Sequence, residues 1–278
     1  MQFKKIILVC NPLQPRAAEV ARGLADFLQT QKCACSIVSD YRQVNAKNIA
    51  DLCISLGGDG TTLRCARQTA PLHIPVLSVN CGSLGFLAAC EAADAPAFLK
   101  QILGGKFQLS RQALLQADIL RQGQEPVTGL LAFNDCVIKA VQPRAFTLSV
   151  GRNHTDLKNF YGDGIIVATP AGSTAYSLAA GGPIVEPDLP VWTLAPICPH
   201  SLTERPLVLR ADQELSFTPS FKHDTERATV SLDGQHTFEL AAGDRVLLRR
   251  SPDDAQLIYA EQADFFERLR RKLEWGKR

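Results

Sequence analysis

Over the first hundred residues, short apolar runs alternate with stretches whose apolar residues fall three or four apart. The runs are Ile6-Ile7-Leu8-Val9, Cys35 to Val38, Leu52 to Leu56 and Val76 to Val79; Ala17 to Gln29 is the clearest helical stretch. Short apolar runs separated by helices are what strands covered on both faces look like, so residues 1–103 predict an α/β domain with a parallel sheet. After Gly104-Gly105 the period changes. Leu115, Ala117 and Ile119, then Phe146, Leu148 and Val150, recur at every second position, as in strands with one buried face. Residues 104–260 therefore predict a mainly β domain, in which Val230 and Leu232 lead through Asp233-Gly234 to Phe238 and Leu240 as a hairpin. Phe265, Leu269 and Leu273 share one face of a last helix, Asp264 to Trp275, in a segment (261–278) expected to pack back on the first domain. Its Arg268, Arg270, Arg271 and Lys272 read as a solvated face.

Composition narrows the class. At 46% apolar residues, 278 residues can bury a core in each of two domains. No apolar run approaches the roughly 18 residues of a membrane span, and Asn11-Pro12 cuts off the N-terminal run, so a soluble cytoplasmic protein with no membrane partner is expected. A net charge of +2 gives no reason for a nucleic-acid partner. Nine cysteines without a Cys-x-x-Cys pair or accompanying histidines read as reduced, partly buried thiols, Cys33-Ala34-Cys35 included.

Candidate chemistry begins where the run Leu52 to Leu56 meets Gly57-Gly58-Asp59-Gly60-Thr61, with Thr62-Leu63-Arg64 able to start a helix. Glycines let backbone N–H groups approach a phosphate, and a helix start adds donors and a favourable dipole. The loop lacks the Gly-Lys-Ser/Thr of a Walker P-loop and does not match Gly-x-Gly-x-x-Gly. Asp59 would repel an anion there unless it serves a bridging metal or an acceptor hydroxyl that it deprotonates, and phosphoryl transfer requires both. From these five residues alone, a tight turn capped by Asp59 fits equally well.

The loop resembles that of NAD kinases, diacylglycerol and sphingosine kinases, and phosphofructokinases. Further blocks single out the NAD kinases. Asn80 to Leu87 (NCGSLGFL) is similar to their second glycine motif, and Phe133-Asn134-Asp135-Cys136-Val137-Ile138 to their Asn-Glu/Asp segment. Asp163 to Pro183 (DGIIVATPAGSTAYSLAAGGP) is the most specific block, and Pro196 to Thr203 with Asp233-Gly234-Gln235 complete the series in order. The resemblance spans roughly residues 1–260. It implies an NAD kinase-like two-domain fold, an α/β N-terminal domain plus an all-β C-terminal domain. The implied activity is transfer of a phosphoryl group from ATP or polyphosphate to the 2'-hydroxyl of the adenosine ribose of NAD, with Mg²⁺ as divalent metal and a homo-oligomer, dimer or tetramer, as the assembly.

By resemblance, Asp59 contacts the ribose and acts as general base, and Gly60 faces phosphate. Asn134 and Asp135 hold the adenosine, for which a strand-end turn is the alternative. Thr174, Ala175, Tyr176, Ser177, Leu178 and Ala179 form the adenine segment, otherwise simply a helix start capped by Ser173 or Thr174. Asp163 lies toward the nicotinamide. Phe86 packs on adenine or sits in the core. Arg64 and Arg144 are phosphate candidates, the latter aligned only with a one-residue gap. Gln235 matches a family glutamine but also follows a predicted turn, and His200 reads as structural. Tyr161 stands where several relatives have Arg, and Ala171 where Thr or Ser is common. A lipid kinase, or a silent NAD-binding sensor, is the alternative function; the 163–183 block opposes the first and Asp59 the second.

Overall fold

Each apolar run of the first hundred residues forms a strand: β1 (Lys5–Cys10), then after α1 (Pro15–Thr30), β2 (Ala34–Val38), β3 (Leu52–Gly57), α2 (Asp59–Thr69), β4 (Val76–Asn80), β5 (Cys90–Glu91), α3 (Ala95–Leu103) and β6 (Gln108–Gln112). These belong to a computed structural model that describes residues 3–45, 49–82 and 85–274; Ser83, Leu84 and Trp275 lie outside the described residues. β3 and β4 are buried throughout, as their uninterrupted apolar runs require, whereas β2 at the sheet edge is largely open. Proline at the first position of α1 fits a helix start, and Ala17, Ala21, Leu24 and Leu28 give it one buried face.

The alternating segment supplies β7 (Leu115–Leu120), β8 (Val127–Ala132), β9 (Asp135–Ala140), β10 (Phe146–Arg152), β11 (Thr155–Gly162), β12 (Gly164–Ala168), α4 (Tyr176–Ala179), β13 (Val191–Ile197), β14 (Leu207–Arg210), β15 (Leu215–Ser220), β16 (Ala228–Leu232), β17 (His236–Leu240) and β18 (Arg245–Arg250). They make two antiparallel sheets, ordered β11-β10-β15-β18-β7-β8 and β14-β13-β12-β9-β16-β17. Leu148, Phe217 and Leu248 from the first sheet join Ile138, Ile165 and Trp192 from the second in one core.

The chain then adds β19 (Ala255–Tyr259) and α5 (Phe265–Leu273). β19 pairs parallel with β4 and antiparallel with β6, completing a sheet ordered β2-β1-β3-β4-β19-β6 with β5 beside β4. Two units result, Met1–Gln112 with Asp253–Arg278, and Ala113–Pro252. The divisions therefore fall at 112/113 and 252/253, not at 103/104 and 260/261. Gly105, at φ +83°, does end α3, but β6 and β19 beyond the expected boundaries pair with each other in the first sheet. Periodicity marks where a strand begins, not which sheet it joins.

Candidate functional site

In the first unit, β3 delivers Gly57-Gly58 to α2, whose first residue is Asp59. The Thr61 and Thr62 N–H groups donate to Gly58 O, closing the turn. Below it, Ser55 Oγ, Thr62 Oγ1 and Ser78 Oγ form a buried hydroxyl chain with steps of 2.9 and 2.7 Å, fixing α2 against β3 and β4. Asp59 does not cap its own turn. Its Oδ2 accepts the Phe86 N–H at 2.7 Å and its Oδ1 the Leu87 N–H at 3.1 Å, so one carboxylate ties the first glycine loop to the second. A Cβ on Gly85 would overlap that carboxylate, which explains the glycine there. Each oxygen keeps a second lone pair for a ligand hydroxyl.

In the second unit, the turn before β9 is bound from two sides. Asp233 lies in the β16–β17 hairpin turn at φ +52°, followed by Gly234 at φ +63°. Its Oδ2 accepts the Phe133 N–H at 2.9 Å, and its Oδ1 the N–H groups of Asn134 and Asp135 at 2.7 and 3.1 Å. From the other side, Thr169 donates its hydroxyl to Phe133 O and its N–H to Asn134 O. Asn134, Asp135, Asp163, Ala175, Tyr176 and Asp233 are among the residues lining a cavity of about 980 Å³. Burial, reinforced by the Asp233 carboxylate, pushes Asp135 up to about 7. A carboxyl poised there can accept or donate a hydrogen bond near neutral pH.

The remaining expected residues are placed as follows. Gly60 and Arg64 are exposed on α2, and Phe86 is half-buried rather than a core residue. Arg144 is exposed, with Glu226 3.9 Å away. Gln235 is half-buried and donates its N–H to Leu232 O. Neither Ser173 nor Thr174 caps α4: Ser173 donates to Pro170 O and accepts the Val185 N–H, while Thr174 donates to Ala171 O, because both lie in a preceding 3-10 turn. Ser177 is buried, Leu178 half-buried and Ala179 exposed. All nine cysteines are free. His200 packs edge-on to Tyr161, with ring centroids 4.8 Å apart, a structural contact.

Sequence reading missed two things. Asp233 reads as an ordinary turn residue, and nothing local signals the amides it holds a hundred residues away. The basic face of α5 is not wholly solvated: Arg268 covers the Tyr259 ring at 4.2 Å and Lys272 lies 5.9 Å from the centre of the Phe86 ring.

A carboxylate in place of a Walker lysine on a strand–glycine loop–helix unit, followed by an all-β unit, defines a class of kinases. Comparison with known proteins narrows that class. Residues 37–107 match the ATP-NAD kinase N-terminal domain and residues 134–260 the ATP-NAD kinase C-terminal domain. A curated NAD kinase of Heliobacterium modesticaldum is 37% identical over 97% of this chain and 98% of its own. One from Geobacter sulfurreducens is 39% identical over 99% and 100%. Among solved structures, yeast NADH kinase complexed with NADH superposes with a TM-score of 0.89 at 21% identity, covering 100% of this chain and 89% of that one. An Archaeoglobus fulgidus NAD kinase in complex with ATP gives 0.75 at 20%, covering 97% of each. The chain belongs to the ATP-NAD kinase family.

Proposed function

We propose that the protein is an NAD kinase in which Asp59 takes the proton of the adenosine 2'-hydroxyl as that oxygen attacks the terminal phosphorus of the donor. The new P–O bond forms as the bond to the leaving phosphate chain breaks, giving NADP and, from ATP, ADP. The observation that carries this reading is the carboxylate seated by two backbone amides at the start of α2, beside a glycine loop suited to phosphate. A positioned base contributes about 10²- to 10⁴-fold, and alignment with charge neutralisation supplies most of the rest in phosphoryl transfer.

Asn134 and Asp135 would bind ribose hydroxyls, with Asp163, Ala175 and Tyr176 completing the cavity for the remainder of NAD. Thr174, Ser177, Leu178, Ala179 and Gln235 support that segment, and Gly60, Arg64, Phe86 and Arg144 are the other ligand candidates. Mg²⁺ would accompany the donor. Among the described residues no group of three His, Cys, Asp or Glu side chains could hold a metal. When bound, it neutralises phosphate charge. A cytoplasmic homo-oligomer is proposed for the working enzyme; no described helix is long and apolar enough to cross a membrane. The lipid kinase and silent sensor readings find no support among the relatives.

The test is to incubate the protein with NAD, ATP and Mg²⁺ and measure NADP with an NADP-specific dehydrogenase. NADP formation is expected; none with ATP or polyphosphate would overturn the reading.

A further inference from the structure

The C-terminal helix brings a cation to Phe86, in the second glycine segment. α5 starts where Asp264 accepts the Phe266 N–H, and Leu269, 2% exposed, anchors it to the first unit. Arg268 and Lys272, four residues apart, project from one face. Arg268 is spent on the Tyr259 ring. Lys272 comes one turn later, half-buried, with its ammonium 5.9 Å from the centre of the Phe86 ring, and Phe86 is the residue whose N–H holds Asp59 Oδ2. Among the described residues, no carboxylate lies within ion-pair distance of Lys272. Its neighbours Arg270 and Arg271 are exposed, as dipole compensation alone would allow.

A half-buried ammonium that faces a glycine loop without a paired carboxylate has an unmet need for an anion. Asp59 acts on the ammonium by charge alone, and no ion pair joins the two among the described residues. Burial draws the Lys272 ammonium below its ordinary range, Asp59 draws it back up, Arg271 opposes and Glu91 assists. The ammonium is thus half-buried over Phe86, within the influence of the Asp59 charge.

We propose that Lys272 is a catalytic residue of the first unit, its ammonium pairing with the donor's phosphate oxygens as negative charge passes from the transferring group to the leaving phosphate. The assignment rests on the NAD kinase reading. It gives the C-terminal helix a part in chemistry, because that helix sets the distance from Lys272 to the glycine loop. The basic side chain stays protonated throughout; only the P–O bonds and the 2'-hydroxyl proton move.

The experiment compares wild type with Lys272→Met and Lys272→Arg in the NADP assay, varying ATP and NAD separately, beside thermal melting. Wild-type turnover establishes the underlying reaction, so its absence would sink that reading and not this assignment. The expected result is that Lys272→Met loses about 10- to 100-fold in kcat/KM for ATP, keeps KM for NAD within about twofold, and melts as wild type; Lys272→Arg recovers most of the loss. Unchanged ATP kinetics, or a KM for NAD raised as much as the KM for ATP, would overturn it. Should Lys272→Met not fold, acetylation of wild-type Lys272 read by mass spectrometry decides. Slowing by inorganic tripolyphosphate but not by NAD supports the proposal, and no protection by tripolyphosphate refutes it.

Discussion

The carboxylate of Asp233 accepts the backbone N–H of Asn134 at 2.7 Å across 99 residues of sequence, so a hairpin turn sets the position of the turn that carries two cavity residues. The same carboxylate holds Phe133 and Asp135, which makes it the hub of that wall. Asp233→Ala would strand those amides. It is expected to cost about 3 kcal/mol or more in urea unfolding and to weaken NAD binding in titration calorimetry. Asp233→Asn, which tolerates positive φ but keeps less acceptor capacity, should fall between. An Asp233→Ala protein as stable as wild type would remove the clamp from the account.

Asp59→Asn is expected to fold and bind NAD but to lose about 10²-fold or more in turnover. The amide can accept only one of the Phe86 and Leu87 N–H groups and turns a donor toward the other. A fall of about 1–3 kcal/mol in stability should accompany the kinetic loss. Near-wild-type NADP formation would rule out the base role.

Gly85→Ala tests the same junction from the opposite side. A Cβ there collides with the Asp59 carboxylate, so either the second loop or Asp59 must shift. Reduced kcat with little change in the melting temperature is expected, because the shift affects the seat of the base more than the core. Turnover equal to wild type would show that the two loops separate without consequence.

Asp135 makes stability depend on pH. It is held at about 7, against 3.8 for an ordinary Asp, so the folded protein binds this proton more tightly than the unfolded chain does. Its contribution is complete below about pH 3.8, declines as pH rises, and is lost above about pH 7. Denaturant unfolding should therefore lose stability with rising pH in that window, and Asp135→Asn should flatten the profile. An unchanged profile in the variant would place the dependence elsewhere.

The sequence by itself determined the elements and the chemical candidates. Uninterrupted apolar runs and two-residue alternation depend only on which faces of a strand must leave water, so β1, β3, β4, β7 and β10 could be read directly, as could Gly57 to Thr61 at a strand–helix junction. The family motifs added Asn134, Asp135 and Asp163, three residues that the fold brings to one cavity. Tertiary structure decided what depends on partners far along the chain. β6 and β19 join the first sheet because each completes the other's ladder; Asp233 becomes a clamp because distant amides need an acceptor; Lys272 leaves the solvated face because α5 docks it over Phe86. Local pattern records a residue's own preference for water or core, while hydrogen-bond and ion partners are fixed only when the chain closes on itself.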